Sequence, residues 1–277
     1  MSSRCGLALE AKPKVMVVMP AYNAAKTIEK TYADIPKDTI SQILVVDDLS
    51  QDDTVEIAQR LGLDVVVHIQ NLGYGGNQKT CYVHGLETDA EIFVMLHADY
   101  QYDSRLIPEL IRPIVEGRAD LVLGSRFLGK GTLAGGMPLY KYISNRFLTT
   151  MENLVLRQHL SECHTGFRAY SRRFLETVPF VLNSNDFVFD TQIIVQAAAF
   201  GFKISEIAVP TRYFKEASSV NFKRSVIYGL ATLKALLEFV LDRAGIRRSA
   251  RYRKSLDQVI SRFHRRRLLR HNKPSDS

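Results

Sequence analysis

Short apolar runs alternate with amphipathic stretches over the first half of the chain. Each run is rich in Val and Ile and is about as long as a buried strand of a parallel sheet. We therefore predict strands at Val15–Met19, Ile43–Val46, Val65–Ile69, Ile92–Leu96 and Leu121–Gly124, separated by helices at Ala24–Ile35, Asp52–Leu61, Gly76–Leu86 and Ser104–Glu116. This alternation is typical of an α/β protein with a single doubly wound, mostly parallel sheet flanked by helices.

The pattern becomes less regular after Gly124. A Gly-rich loop over residues 129–136 precedes a predicted helix at Leu139–Arg157, and a further strand is predicted at Ile204–Val209. Ligands bind open parallel sheets at the carboxyl ends of the strands. We therefore expect the functional residues in the loops that follow the strands.

The C-terminal part of the chain combines an amphipathic helix with a basic tail. Apolar residues recur at helical spacing over Phe222–Ala244, but Lys234 and Glu238 interrupt them, which argues against a transmembrane helix. Arg243 to Lys273 contains twelve Lys and Arg residues against one acid, whereas the whole chain has a net charge of +8. The tail therefore favours an anionic partner, which is a phospholipid surface, a nucleic acid or an acidic protein.

The composition is typical of a globular protein without disulfides. With 277 residues, of which 46% are hydrophobic, the chain is long enough to bury one substantial core. Its three cysteines have no CxxC spacing, so we expect neither disulfides nor a zinc site, and a cytoplasmic location. No apolar run of signal-peptide length precedes Val15. We predict a main domain over residues 14–219, a membrane-proximal amphipathic helix over 220–246 and a partly disordered basic tail over 247–277.

Adjacent carboxylates, Asp47 and Asp48, directly follow the second predicted strand. At a strand end they are placed to accept hydrogen bonds from a nucleotide base or from ribose hydroxyls. A turn with a helix cap explains Ser50 to Thr54, but it does not explain this pair. A ligand role and a structural role are both open for Asp47 and Asp48 from spacing alone.

A second polar cluster, His97-Ala98-Asp99-Tyr100-Gln101, follows the fourth predicted strand. Asp99 and Gln101 are two residues apart, so on an extended segment they present oxygens to the same side. Such oxygens suit Mg²⁺ or Mn²⁺ bridging a diphosphate, whose departure the cation assists. A solvated, purely structural Asp99 is the alternative.

Motifs in order along the chain resemble those of the family 2 glycosyltransferases. They are Pro20-Ala21-Tyr22-Asn23, Asp47-Asp48-x-Ser-x-Asp-x-Thr, Asn71-x-Gly73 and His97-x-Asp99. The resemblance extends from about Lys14 to Ser219 and is closest to the dolichyl- and polyprenyl-phosphate sugar synthases. It implies the GT-A fold and an inverting transfer of a sugar from a nucleotide-sugar donor.

The same resemblance implies roles for individual residues. The donor base and ribose would contact Pro20, Tyr22, Asn23, Asp47 and Asp48, with Asn71 and Gly73 closing the pocket. The metal would be bound by Asp99 and Gln101, with His97 as a further candidate ligand. A loop that closes over the donor would contribute phosphate contacts from Arg212, Lys215 and Ser218.

Arginines within two further motifs are candidates to bind phosphate. Gly124-Ser125-Arg126 matches a Gly-Ser-Arg stretch of the synthases, and Thr165–Tyr170 resembles their Ser-Gly-Phe-Arg-Ala-Tyr run. Arg126 and Arg168 are thus expected to hold the donor diphosphate or an acceptor phosphate. A structural salt bridge is the alternative for either.

Asp190 precedes an apolar helical run and has several possible roles. It is expected to position a phosphate acceptor; if the acceptor is a sugar hydroxyl, Asp190 or Asp186 is the candidate general base. It could equally cap the helix that follows.

The chain departs from the synthase pattern at three places. His97 replaces the first Asp of an Asp-x-Asp pair, and it could ligate the metal or a phosphate, or lie in the core. Ala24 replaces a donor-site Glu. Cys163-His164 stand where an Asp is frequent; a Cys–His hydrolase dyad is disfavoured because adjacent residues of an extended segment point to opposite sides.

These features together predict a glycosyltransferase that moves a sugar from a UDP- or GDP-sugar to a polyprenyl phosphate. It would act at the cytosolic face of a membrane that the basic tail contacts. A glycan hydroxyl is the alternative acceptor. The loop Met19–Asn23 lacks the Gly-rich, Lys- or Arg-bearing pattern of a triphosphate site, which disfavours a nucleotidyltransferase. A non-enzymatic polyanion-binding protein stays open because of the tail, although no specific nucleic-acid module is recognisable.

Overall fold

A computed structural model describes residues 12–129, 137–210 and 222–261. Within them a seven-stranded sheet has the order β3-β2-β1-β4-β6-β5-β7. The strands are β1 Val15–Ala21, β2 Gln42–Asp47, β3 Asp64–Val67, β4 Ile92–Met95, β5 Leu121–Ser125, β6 Arg168–Ser171 and β7 Ile204–Ala208. All strand pairs are parallel except those that β6 makes with β4 and β5.

Helices follow most of the strands and lie on both sides of the sheet. They are α1 Ile28–Ala33, α2 Thr54–Arg60, α3 Tyr74–Leu86, α4 Ile107–Val115, α5 Leu139–Leu156, α6 Arg172–Thr177, α7 Phe189–Ala199, α8 Phe222–Arg243, α9 Ala250–Arg253 and α10 Leu256–Val259. The predicted single, mostly parallel sheet flanked by helices is confirmed.

Side chains on each strand alternate between two hydrophobic clusters. On β1, Met16 and Val18 belong to one cluster, whereas Val15, Val17 and Met19 belong to the other. Because successive side chains of a strand point to opposite faces, each cluster fills the space under the helices on one side of the sheet. The near-continuous apolar runs in the sequence are explained by this burial on both faces.

The predicted elements differ from the observed ones in a few places. The helix predicted over Ala24–Ile35 begins only at Ile28, because residues 24–27 form the loop after β1. The strand predicted over Val65–Ile69 is β3, an edge strand that ends at Val67. β6 was not predicted as a strand because Arg168-Ala169-Tyr170-Ser171 has no apolar run, yet it lies between β4 and β5.

The antiparallel direction of β6 matters for the site. Met95 at the carboxyl end of β4 pairs with Arg168 at the amino end of β6. The segment before β6, including Thr165 and Gly166, therefore reaches the same edge of the sheet as the loop after β4. This is also the edge where β1 and β2 end, since Ala21 pairs with Asp47.

The amphipathic helix predicted near the C-terminus is α8, which packs against α5 and α7. Its inward side buries Ala235, Leu236 and Phe239. In the described segments, no helix has the length and apolar character needed to cross a membrane. The predicted donor-loop residues Arg212, Lys215 and Ser218 and the tail from residue 262 onward lie outside the described residues. The domain boundaries at 219 and 246 stay predictions.

Candidate active site

Two adjoining cavities open at the carboxyl edge of the sheet. The larger, of about 670 Å³, is lined by the loops that follow β1 and β2 and by part of α8, and is called the loop cavity. The smaller, of about 240 Å³, lies between the loop after β4 and helices α5 and α8 and is called the cationic cavity. Both are lined by Tyr74, His97, Asp99, Phe187 and Tyr228, so the two cavities meet at these side chains.

The loop cavity brings together most of the residues predicted to bind the donor nucleotide. Its lining includes Pro20, Tyr22, Asn23, Asp48, Asn71 and Gly73. Asp47 is the exception, because it is 1% exposed and its carboxylate accepts hydrogen bonds from the amide and hydroxyl of Ser50. Asp47 therefore fixes the turn after β2 and does not line either cavity, and its contact with a ligand stays a prediction.

Asp48 lines the loop cavity but is already held by protein groups. Its carboxylate accepts from the amide of Leu72 at 2.7 Å and from that of Gly73 at 2.9 Å, and His68 Nδ1 lies 2.8 Å from it. The side-chain amide of Asn71 donates to the Asp48 carbonyl. Asp48 thus shapes the Asn71–Gly73 loop, which itself forms part of the cavity wall.

A chain of polar side chains connects the two cavities. The Tyr74 hydroxyl donates to Asp190 Oδ2 at 2.7 Å and lies 3.2 Å from His97 Nε2, with the Tyr74 and His97 rings stacked. Since the single phenol proton goes to Asp190, His97 Nε2 is the donor to Tyr74. Burial and the nearby Asp190 charge raise the pKa of Tyr74 well above its usual value, so the phenol stays protonated.

The side chain of Asp190 does not cap α7. The N-cap position is Val188, and Asp190 lies inside the first turn with its carboxylate in the cationic cavity. Besides Tyr74, Gln78 Nε2 donates to Asp190 Oδ1 at 3.2 Å. The capping alternative is therefore wrong, and Asp190 is a carboxylate that several side chains hold at the cavity.

Arg168 lies in the core, contrary to the expectation that it contacts phosphate. It is fully buried, and its guanidinium donates to the carbonyls of Cys163, Thr165 and Asp190. Arg168 Nη1 also lies 3.7 Å from Asp190 Oδ1. The structural alternative applies here: Arg168 supports the segment before β6 and the start of α7.

Gly166, in the motif that precedes β6, leaves room for the His97 ring. A Cβ added at Gly166 would lie 2.7 Å from His97 Cδ2, which is inside the contact limit of real side chains. Any larger residue would displace the imidazole from the junction of the cavities. Sequence alone marks this glycine as part of a motif but does not identify its neighbour.

Arg126 combines a salt bridge with a position at the cationic cavity. Its Nε donates to Glu162 Oε1 at 2.8 Å and its Nη2 donates to the carbonyl of His164 at 2.8 Å. Burial would raise the pKa of Glu162, but the Arg126 cation outweighs it and holds that pKa below its usual value. The guanidinium is thereby fixed at the cavity wall.

Lys141 is a second basic side chain of the cationic cavity, and the imidazole of His164 also lines it. Burial and the neighbouring Arg126 lower the pKa of Lys141, which indicates positive charge held close together. His164 Nδ1 lies 2.6 Å from the Tyr228 hydroxyl, and its Nε2 lies 3.1 Å from the fully buried carboxylate of Glu152. Neither Lys141 nor Tyr228 was identified from the sequence, because they are distant in the chain from any recognised motif.

Cys163 has no role as a nucleophile. It is fully buried, and burial together with Glu152 raises the pKa of its thiol far above the usual range. A reactive cysteine needs the opposite environment, which favours the thiolate. The Cys–His dyad that was disfavoured on sequence grounds is excluded by this geometry.

The metal-ligand candidates all line the cationic cavity, although the segment that carries them is a turn. Tyr100 has a φ of 59°, and Asp99 Oδ1 accepts from the amide of Gln101 at 3.1 Å. Among the described residues, no group of three His, Cys, Asp or Glu side chains could hold a metal ion. One carboxylate and one amide fit Mg²⁺ or Mn²⁺ provided that phosphate oxygens supply further ligands.

Comparison with known proteins finds a matching family model and several similar chains. The model of glycosyl transferase family 2 matches residues 16–178. An uncharacterized protein of Methanocaldococcus jannaschii is 31% identical over 226 residues, which are 82% of this chain and 92% of the relative. A UDP-N-acetylglucosamine–dolichyl-phosphate N-acetylglucosaminyltransferase of Methanococcus voltae is 25% identical over 241 residues, which are 79% of this chain and 96% of the relative.

Among solved structures, the chain resembles glucosyl-3-phosphoglycerate synthase of Mycobacterium tuberculosis in complex with Mn²⁺, UDP and phosphoglyceric acid. The TM-score is 0.63 at 20% identity, with 86% of this chain and 81% of the synthase covered. This likeness supports the GT-A fold that the sequence motifs implied. Since the family model spans more than half of the chain, the protein belongs to glycosyl transferase family 2 and is a nucleotide-sugar-dependent glycosyltransferase.

Proposed function

We propose that the protein transfers a sugar, with inversion, from a UDP- or GDP-sugar to a polyprenyl phosphate at the cytosolic face of a membrane. The observation that carries this proposal is the cationic cavity. It places Arg126 and Lys141 on its walls beside the imidazole of His164, and it meets the loop cavity at Asp99. A phosphate monoester is an anion of suitable size for such a pocket.

The donor nucleotide is assigned to the loop cavity. Its lining by Pro20, Tyr22, Asn23 and Asn71 offers an exposed aromatic ring and amide groups for a base and ribose. The diphosphate would then reach the junction near Asp99. The structural relative from M. tuberculosis was solved with UDP and Mn²⁺, which supports a nucleoside diphosphate and a divalent cation as ligands of this fold.

A divalent cation, Mg²⁺ or Mn²⁺, would be held by Asp99 and Gln101, with His97 nearby. It would supply positive charge to the diphosphate that leaves. His97 Nε2 is engaged by Tyr74, so the ring could face the cation only through Nδ1. We therefore regard His97 mainly as a wall of the junction whose orientation Tyr74 and Gly166 fix.

The chemistry would be a direct displacement. A phosphate oxygen of the acceptor attacks the anomeric carbon, a new C–O bond forms, and the bond from that carbon to the donor diphosphate breaks. The nucleoside diphosphate leaves with the electron pair. Arg126 and Lys141 would hold the acceptor phosphate in line with the donor, and positioning of this kind supplies much of the rate enhancement.

The hydrogen bonds that Asp190 accepts favour a phosphate acceptor over a sugar hydroxyl. A phosphate is already an anionic nucleophile and needs no general base. Asp190 accepts hydrogen bonds from Tyr74 and Gln78 on its two oxygens, so both oxygens already have donors from the protein. The relative from M. voltae, whose name includes dolichyl phosphate, supports the same choice. A glycan hydroxyl stays the alternative acceptor.

The test is a donor screen with the full chain. The protein is incubated with Mg²⁺ or Mn²⁺, a panel of UDP- and GDP-sugars, and a polyprenyl phosphate, and release of nucleoside diphosphate is measured. Asp99→Asn removes the candidate metal ligand with little change in shape. Asp38→Asn, on the exposed loop after α1, is the matched control.

We expect release that requires the lipid phosphate, selects one donor, and is lost in Asp99→Asn but kept in Asp38→Asn. Replacement of the lipid phosphate by the corresponding polyprenol should abolish release. Equal release with the phosphate and with a glycan, or release unaffected by Asp99→Asn, would contradict the proposal.

A further inference from the structure

Neighbouring helices α5 and α8 each carry a stripe of large apolar side chains on the protein surface. On α5, Leu139, Ile143, Phe147 and Leu154 are between 55% and 73% exposed. On α8, Val226, Leu230, Leu237 and Val240 are between 44% and 64% exposed. Exposed apolar patches on a scale of several side chains mark contact surfaces for proteins or membranes.

These stripes lie on the same side of the helix pair. Gly229 of α8 faces Leu148 of α5, and residues 140–144 of α5 share the cationic cavity with residues 225–228 of α8, so the helices run in the same direction. Each residue of a helix is rotated by about 100° from the one before it. Phe147, one residue before Leu148, and Leu230, one residue after Gly229, therefore point to the same side and form one face.

The charges that accompany this two-helix face are basic. Of the exposed charged side chains described on the two helices, Arg224 lines the loop cavity, and Arg146, Lys234 and Arg243 remain. The acidic side chains of these helices are buried or paired. Glu152 and Asp242 are buried, and Glu238 pairs with Arg251 at 2.8 Å. An apolar face bordered by cations is complementary to an anionic lipid surface.

The two-helix face begins at the mouth of the cationic cavity. Tyr140 and Ser144 from α5, and Ser225 and Tyr228 from α8, line that cavity. A phosphate bound inside would leave its hydrocarbon chain at the amino ends of both helices, where Leu139, Ile143 and Val226 are exposed. The chain would then continue along the apolar face.

We infer that the two-helix face inserts into the boundary between headgroups and acyl chains of an anionic membrane. The inference rests on the proposed function for the direction in which a lipid acceptor enters. It adds α5 to the membrane-proximal helix that the sequence predicts over residues 220–246, and it makes this apolar face the main membrane contact in place of the basic tail. A second copy of the chain fits this face less well, because a symmetric pair would bring the same basic residues of both copies together.

The experiment is flotation of the full chain with vesicles of phosphatidylcholine containing phosphatidylglycerol, at low and at high salt. Phe147→Ser combined with Leu230→Ser removes two exposed apolar side chains from the face. Ile69→Ser combined with Val115→Ser is the matched control, since these residues are also more than half exposed but lie elsewhere. Light scattering gives the oligomeric state of each variant.

We expect the face variant to reduce vesicle binding by at least about tenfold, through the loss of apolar burial, while the control binds like the parent chain. Part of the parent's binding should persist at high salt, because apolar insertion is not screened. Equal binding of both variants, or complete loss of the parent's binding at high salt, would assign the contact to the basic tail and overturn the inference. A parent dimer that the face variant converts to a monomer would also overturn it.

Vesicle binding in this experiment needs neither donor nor acceptor. A failed donor screen with intact vesicle binding would reject the proposed reaction and leave the membrane face standing. A successful donor screen without vesicle binding would support the proposed reaction and reject the membrane face.

Discussion

Arg168 shows how a motif residue can serve the site without touching a ligand. Its guanidinium ties the segment before β6 to the first turn of α7, and it lies close to the Asp190 carboxylate. Removal of one partner from a buried charge pair leaves the other charge and several carbonyls uncompensated.

We therefore predict that Arg168→Met lowers the free energy of unfolding by about 3–5 kcal/mol. Chemical denaturation measures this value. The neighbouring Arg173 pairs with Asp120 but is 73% exposed at its side chain, so Arg173→Met should cost less than about 1 kcal/mol. Similar losses of unfolding free energy in both variants would show that the buried Arg168 stabilises the fold no more than the exposed Arg173 does.

Lys141 gives the acceptor site a dependence on pH. Burial and Arg126 lower its pKa, so this lysine loses its proton at a lower pH than an ordinary lysine. The protonated form binds a phosphate, so kcat/KM for the acceptor is predicted to fall as the pH rises through the lowered pKa.

Lys141→Arg should move that fall to higher pH, because a guanidinium stays protonated. Lys141→Met should raise the KM for the acceptor about tenfold near neutral pH, as expected for loss of one charged contact of this kind. Lys37 is the control: burial lowers its pKa to about 8, but it lies against Tyr32, away from both cavities. Lys37→Arg should leave the profile unchanged, and an unchanged profile in Lys141→Arg would contradict the assignment.

At the scale of elements, α3 begins against the loop that precedes α7. A Cβ added at Gly75 would lie 2.4 Å from the Ser184 carbonyl oxygen and 2.8 Å from Phe189 Cβ. Both neighbours belong to a part of the chain more than a hundred residues away. The start of α3, which carries Tyr74, is therefore positioned by this close approach.

Gly75→Ala is predicted to separate α3 from the loop, so that both the melting temperature and the turnover fall. Gly229→Ala provides the comparison, because the nearest atom to its added Cβ is 3.8 Å away. In a helix interior that change should be neutral or stabilising by up to about 1 kcal/mol. Thermal unfolding and donor consumption of both variants check this, and a Gly75→Ala protein that behaves like Gly229→Ala would refute it.

The extent of individual helices and strands was the hardest feature to predict from the sequence. Apolar runs located six strands, β1 to β5 and β7, because burial in the sheet leaves a local pattern. They missed β6, where Arg168 and Ser171 interrupt the apolar positions. Pairing with β4 and β5 holds this strand in place, and that pairing has no signal within four residues of sequence.

At the scale of the whole molecule, α8 joins the part of the chain after residue 219 to the core. Leu236 and Phe239 belong to the same hydrophobic cluster as Met16 of β1 and Phe93 of β4. A chain that ends at residue 219 would expose this part of the cluster to water.

We predict that such a shortened chain is less soluble and unfolds at a lower temperature than the full chain. Circular dichroism and light scattering measure both properties. A chain ending at residue 261, which keeps α8 to α10 and lacks residues 262–277 of the basic tail, is the matched comparison and should unfold near the temperature of the full chain. Cooperative folding of the shorter chain at an unchanged temperature would instead support an independent domain over residues 14–219.

The sequence by itself determined the fold class, the family motifs and the loops that carry them, because burial periodicity and strand-end motifs are local properties of the chain. Only the tertiary structure decided how individual side chains are used. In the folded protein Arg168 is buried, and Asp48 accepts a hydrogen bond from the Asn71–Gly73 loop. Lys141 lies beside Arg126, and the apolar stripes of α5 and α8 lie side by side. Each of these outcomes depends on segments that are far apart in sequence, and contacts between such segments arise only when the sheet has formed.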